Sequence, residues 1–260
     1  MDLGIFCKGT LEQEPVEHCF SALFALGNNP NPSYLDWLMK AWGWTLAVAA
    51  LGLILALILG AVMGTLRTLP PETKLNRFLV RFSTGWVELF RNIPILVQVF
   101  LWYHVVPAFI PLLKSFPSYL LVSIALGFFT SARIAEQVRA GIQSLPSGQK
   151  AAATALGLTT FQSYRYVILP MALRIVIPPL TSESMNLIKN SSVAFAVSVP
   201  ELTLFAMQAQ EETSHGIEIY LAVTLLYALS AFSVNRVMAY IEKRSRIPGF
   251  IVANTEVVAH

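Results

Sequence analysis

Between Lys40 and Arg67 the chain runs from Ala41 to Leu66 without a single charged residue. A helix needs about 20 predominantly apolar residues to cross the roughly 30 Å hydrocarbon core of a bilayer. This run is long enough, and Trp42 and Trp44 at its start suit a membrane–water interface. Inside lipid the backbone polar groups find no water, so spanning segments of this kind must be helices that satisfy their own hydrogen bonds. Composition agrees: 55% of the 260 residues are hydrophobic and 13% are charged, against about 25% charged in soluble domains. An all-α integral membrane protein is expected. The net charge of +3 is too small to point to nucleic acid.

Four further spans follow from the same reading. They cover Ile93 to Leu113, led in by Asn92-Ile93-Pro94, then Tyr119 to Gly141, Leu169 to Lys189 and Ile217 to Val237. Pro178-Pro179 interrupts the fourth. Proline removes a backbone donor, so a broken or kinked helix covered by protein is expected there. Residues 1–40 form an extracytoplasmic N-terminal segment, 41–246 the five-span domain with a cytoplasmic loop at 142–170, and 247–260 a cytoplasmic tail.

Lys and Arg set the orientation. The first connection holds Arg67, Lys74, Arg77, Arg81 and Arg91, and the second only Lys114. The third holds Lys150 and Arg165, with Arg139 and Arg174 at its edges. The fourth has no Lys or Arg but carries Glu201, Glu211, Glu212 and Glu218, as a solvated outer loop or a docking surface. This alternation places the N-terminus outside and the C-terminus inside. Cys7 and Cys19 then lie in an oxidising compartment, where a disulfide between them and two separate thiols are both open readings. The N-terminus lacks a basic segment followed by a long apolar one, so it is not read as a cleaved signal peptide. No His/Cys set has metal-ligand spacing. H-E-x-x-H and G-x-S-x-G are absent, which leaves no catalytic residues to assign and argues against an intramembrane hydrolase.

The third connection is the most informative: Gly148-Gln-Lys-Ala-Ala-Ala-Thr-Ala-Leu-Gly157, then Leu158 to Leu169-Pro170. Ser147 is a candidate N-cap, the alanines favour helix, and Gly157 suits a stop. Thr159 or Thr160 is placed to cap a second short helix. By composition alone this is either a mechanical handle between two spans or an ordinary capped loop.

The stretch resembles the cytoplasmic loop signature (Glu-Ala-Ala, a Gly, then Ile-x-Leu-Pro) of permease subunits of binding-protein-dependent ABC importers. It matches at Gly148, Gln149, Ala152, Ala153, Ala155, Leu156, Gly157, Ile168, Leu169 and Pro170, and departs at Ala151, where the family has Glu. Val87-Glu-Leu-Phe-Arg-Asn-Ile-Pro-Ile-Leu-Val-Gln98, Glu136-x-x-Arg139-x-Gly141 and Leu187-Ile-Lys-Asn-Ser-Ser192 look like the polar amino acid branch. They are most similar to glutamate/aspartate importer permeases. The resemblance implies a type I importer permease fold with a coupling helix docked on a cytoplasmic ATPase dimer. It also implies a second permease subunit and a periplasmic amino-acid-binding protein, in the bacterial inner membrane. Ala151 favours a hetero-pair whose partner supplies the missing Glu. No Gly-Lys pair occurs, hence no G-x-x-x-x-G-K-[ST] phosphate loop. ATP and Mg are therefore expected on the ATPase, with no cofactor here. Rival readings are a non-transporting receptor or scaffold, a passive channel, and an importer of another polar amino acid such as glutamine.

Ionisable residues inside spans are functional candidates. Arg133 lies about 14 residues into the third span, or roughly 21 Å at 1.5 Å per residue. Glu136 and Arg139 follow at three-residue steps, so the three can share a face and leave one positive charge unpaired. One reading makes Glu136 and Arg139 a structural pair with Arg133 snorkelling. The other turns Arg133 into a cavity to bind a substrate carboxylate, for which its planar fork is suited. Related permeases commonly carry an aromatic where Arg133 stands, which points to an acidic substrate. Gln98, Thr130, Ser131, Glu183 and Asn186 complete the candidate pathway, and each also suits a helix–helix hydrogen bond.

Overall fold

The computed structural model describes residues 3–10 and 33–245. Cys19, most of the N-terminal segment and the 247–260 tail lie outside them. Cys7 ends a short 3₁₀ turn, Leu3–Cys7, and is disulfide-bonded.

Helix α1, Tyr34–Leu66, starts well before the expected Ala41 because Ser33 and Asp36 form a capping box. The Asp36 amide donates to Ser33 Oγ at 3.2 Å, and the Ser33 amide donates to Asp36 Oδ2 at 3.1 Å. Two orphan donors at the helix start are thereby satisfied.

The basic connection that follows is not a loop. It forms α2, Lys74–Asn92, capped by the Thr73 hydroxyl. Its charges and apolar residues fall on separate faces, a pattern that a search for uninterrupted apolar runs passes over. Pro94 then forces the chain to turn. Ile93 adopts φ −94° and ψ 130°, the extended region favoured before proline. Helix α3, Ile95–Phe109, leaves at 107° to α2. One π-helical turn, Leu101–Val105, lies within it.

Helix α4, Ser118–Gln143, is the centre of the fold, with 61% of its most apolar stretch buried. Three glycines of α1 allow its close approach. A Cβ on Gly60 would stand 2.5 Å from Ile134 Cγ2, and one on Gly64 would stand 2.6 Å from the Ala135 carbonyl oxygen. Gly52 faces α4 less tightly, a Cβ there standing 3.3 Å from Leu126 Cβ.

Helices α5, Ser147–Ala155, and α6, Thr160–Ser163, make a protruding elbow. A π-helical turn, Tyr164–Ile168, joins α6 to α7, Leu169–Asn190. Of the broken or kinked helix expected at Pro178-Pro179, the break is absent. The helix runs through both prolines, with Val176 and Leu180 packed in one apolar cluster with Ile134 and Val138 of α4. Tertiary packing holds the path despite two missing backbone donors.

After a 3₁₀ segment, Ser191–Val197, the acidic connection also proves structured. Helix α8, Leu202–Thr213, is capped by Glu201, which is fully buried rather than solvated. The last helix, α9, Gly216–Ser245, has only 17% of its most apolar stretch buried. Among the described residues, four helical runs are long and apolar enough to cross a membrane, and the bent α2–α3 pair makes up to five. Among the described residues there is no β-strand beyond one isolated bridge, Gly9 to Ser33.

Candidate functional site

Two charged clusters sit on different sides of α4, where one triad was expected. Arg133 reaches α7, and its Nε donates to Glu183 Oε2 at 2.9 Å. Gln137, one turn along α4, donates from Nε2 to the other oxygen, Oε1, at 3.1 Å. Glu183 is buried, with a side chain 7% exposed, whereas the Arg133 side chain is 44% exposed. The expectation of an unpaired positive charge fails here, because Glu183 neutralises it. The guanidinium engages through Nε alone, which leaves its outer N–H groups without a protein acceptor among the described residues. This is a half-exposed fork anchored at its base by a buried carboxylate. Such a fork is suited to gripping a planar carboxylate.

Glu136 belongs to the second cluster. Its Oε1 accepts from Arg67 Nη1 at 2.6 Å and lies 3.5 Å from Arg91 Nη1. Its Oε2 accepts from Arg139 Nε at 2.9 Å. Three cations from α1's end, α2 and α4 meet one carboxylate, so Glu136 ties helices together and does not face Arg133.

The other candidates separate as cleanly. Thr130, Arg133 and Gln137 share a face of α4 by helical spacing, and the Thr130 hydroxyl is buried without a partner. Asn186 lies one turn beyond Glu183 on α7, half-buried. Ser131 instead accepts from Trp86 Nε1 at 3.1 Å and donates to the Phe128 carbonyl at 2.7 Å. Gln98 donates from Nε2 to the Phe90 and Ile93 carbonyls at 2.8 and 3.0 Å, so it closes the end of α2 and holds the bend. Gln137 was missed by the sequence reading. Its place at i+4 from Arg133 was the available signal.

In the elbow, Pro146 and not Ser147 occupies the N-cap of α5, and Ser147 is the first helical residue. Gly157, at φ 76°, ends α5 with the Leu158 amide bonded to the Ala153 carbonyl at 3.1 Å. Thr159 caps α6 through a box with Gln162. Gly148, Ala151, Ala152, Ala155 and Pro170 are exposed, Gln149 and Leu169 half-buried, and Ala153 alone on α5 is buried. Leu156 is 80% and Phe161 73% exposed.

The family model for the binding-protein-dependent transport system inner membrane component matches residues 52–247. The chain belongs to this family. It is therefore a permease-type transport subunit, and the exposed elbow and the paired charges of α4 are read in that light. The chain is similar to the glutamate/aspartate import permease protein GltJ of Escherichia coli (strain K12), with 42% identity covering 84% of this chain and 91% of that one. It is also similar to the glutamate/aspartate import permease protein GltK of Escherichia coli O6:H1, with 28% identity covering 81% and 94%. Its fold matches the crystal structure of an amino acid ABC transporter with histidines at a TM-score of 0.69. There the identity is 25% over 81% of this chain and 95% of that one.

Proposed function

We propose that the chain is one of two permease subunits that form the path of an ATP-driven importer for acidic amino acids, glutamate and aspartate. The observation that carries this reading is the Arg133–Glu183 pair, a guanidinium fixed by a buried carboxylate with its outer fork free. The similarity to two glutamate/aspartate import permeases supports the same substrate class.

That similarity to both GltJ and GltK also supports a hetero-pair, as does Ala151 in place of the family's Glu. The N-terminus lies outside and the Arg67 end of the bundle faces the cytoplasm. There α5 and α6 dock on a separate ATPase dimer that binds ATP and Mg, with Leu156 and Phe161 as apolar contacts. A periplasmic binding protein delivers the substrate. Closure of the ATPases pushes the elbow, which is continuous through the Tyr164–Ile168 turn with α7. The push thus reaches the helix that carries Glu183 and alters the spacing of the two halves of the site.

The test is uptake by the assembled complex in liposomes with its binding protein, comparing labelled glutamate, aspartate and glutamine with and without ATP. ATP-dependent uptake of the two acids above glutamine is expected. Preference for glutamine would overturn the substrate class, and uptake without ATP would overturn the importer.

A further inference from the structure

Two clefts meet at the Arg67 end of the bundle, sharing Thr65, Arg165 and Leu169. The outer one, about 810 Å³, is lined by Asn76, Thr160, Arg165 and Tyr166 together with the apolar Leu66, Leu69 and Phe161. The inner one, about 590 Å³, runs between α1, α4 and α7 past Leu57, Ala61, Leu173, Val176 and Leu180, and beyond Thr65 and Arg165 its walls are wholly apolar. From Leu57 to Thr65, α1 rises about 12 Å at 1.5 Å per residue. That is close to the ~15 Å hydrocarbon depth of a single leaflet, half the bilayer core.

Arg165 stands exposed where the two clefts join, 5.8 Å over the Tyr166 ring, with no carboxylate in ion-pair distance among the described residues. We propose that this double cleft binds an anionic phospholipid, with its phosphate on Arg165 and one acyl chain along the Leu57–Leu180 groove. The cavity has one cation at its waist, a few hydrogen-bonding side chains among apolar ones on the headgroup side and no polar group deeper in. A ligand charged at one end and apolar along the rest complements all three features. A free phosphate or nucleotide would leave the groove unfilled. Basic pockets between spanning helices near the membrane surface are recognised headgroup sites, and each buried methylene adds to retention.

The occupied groove would brace α1 against α7 beside the elbow. Lipid retention in this cleft is therefore a property of the transporting unit and not of its surface charge.

The experiment uses the assembled complex in nanodiscs of equal dioleoylphosphatidylglycerol and dioleoylphosphatidylcholine, re-extracted in mild detergent. The lipids that stay bound are then quantified by mass spectrometry. Wild type is expected to retain phosphatidylglycerol severalfold over phosphatidylcholine. Arg165→Gln, which removes the cation, and Ala61→Trp, which fills the groove, should each abolish most of that preference. Arg77→Gln, a charge on α2 that does not line the cleft, should leave it intact. A phosphatidylglycerol carrying a mid-chain photoreactive group should label peptides of the Leu57–Leu180 groove in the folded complex. Equal retention in Arg165→Gln and Ala61→Trp overturns the site. So does equal loss in Arg77→Gln, which would indicate surface charge alone. Labelling elsewhere, or cross-linking of the groove to the second permease subunit, assigns it another occupant and also overturns it.

Discussion

Arg67 Nη1 lies 2.6 Å from Glu136 Oε1, joining the C-cap of α1 to a carboxylate well inside α4. Arg139 and Arg91 approach the same carboxylate. Arg67 is 11% and Glu136 21% exposed, so removing the acid leaves the nearly buried Arg67 without its partner, close to the better hydrated Arg139 and Arg91. Breaking a fully buried pair costs about 3–5 kcal/mol, and this partly wet one should cost about 2 kcal/mol. Glu136→Ala should therefore lower the thermal unfolding midpoint in detergent clearly. The double variant with Arg67→Leu should recover part of the loss, as a double-mutant cycle would read out.

The α1–α4 contact makes an opposite pair of predictions for glycine. Gly64→Ala sets a Cβ against the Ala135 carbonyl oxygen, a backbone atom that cannot rotate away. Overpacking of that kind costs about 1–3 kcal/mol. Gly43, in the same helix, has open space where a Cβ would stand, with no atom within 4 Å, so Gly43→Ala should stabilise by about 0.5–1 kcal/mol. Unfolding midpoints of the two variants should move in opposite directions.

Glu201 is fully buried, and it accepts from the Thr203 and Leu204 amides and the Tyr227 hydroxyl. Burial pushes its carboxyl above the usual 4.5, with those hydrogen bonds pulling the other way. The folded state therefore holds this proton more tightly than the unfolded chain. The resulting stabilisation is complete below the unfolded value and is lost as pH rises through the folded one. The unfolding midpoint should decline over that window above 4.5, and Glu201→Gln should flatten the decline.

The elbow permits a test that spares the fold. Leu156 and Phe161 are mostly exposed, so Leu156→Asp and Phe161→Asp should change stability by no more than about 0.5 kcal/mol. Both should sharply reduce co-purification of the ATPase. Ala151→Glu, at an exposed position, should be equally neutral for stability and should strengthen that co-purification. Unchanged ATPase retention in all three variants would remove the elbow as the docking element.

What the sequence disclosed depended on the kind of constraint. The apolar runs of α1, α4 and α9 were plain because each is long and local. The elbow was plain because Gly157 and Thr159 carry their conformations in their chemistry. Helix α2 was hidden because its basic residues interrupt every apolar run, and only the angular separation of charged and apolar residues discloses a helix. Pro178-Pro179 does not break α7, because packing of Val176 and Leu180 against α4 holds the helix together. In the site, Arg133 and Glu183 were both named, but their pairing joins helices 50 positions apart and no local pattern encodes it. The Glu136–Arg139 pair was legible at three-residue spacing and is present, whereas Arg67, the second partner of Glu136, is 69 positions away and no local pattern encodes it.

The most direct measurement compares ATP-dependent uptake of glutamate, aspartate and glutamine by wild type and by the double variant Arg133→Gln/Glu183→Gln. Replacing both residues avoids stranding a buried charge, and assembly with the ATPase is checked in parallel. A charged hydrogen-bonding group contributes about 1.5–3 kcal/mol, so uptake of the two acids should fall about tenfold or more. Glutamine uptake should be little changed. Uptake of all three substrates at wild-type levels, or an equal fall in all three, would contradict a carboxylate-reading site at Arg133.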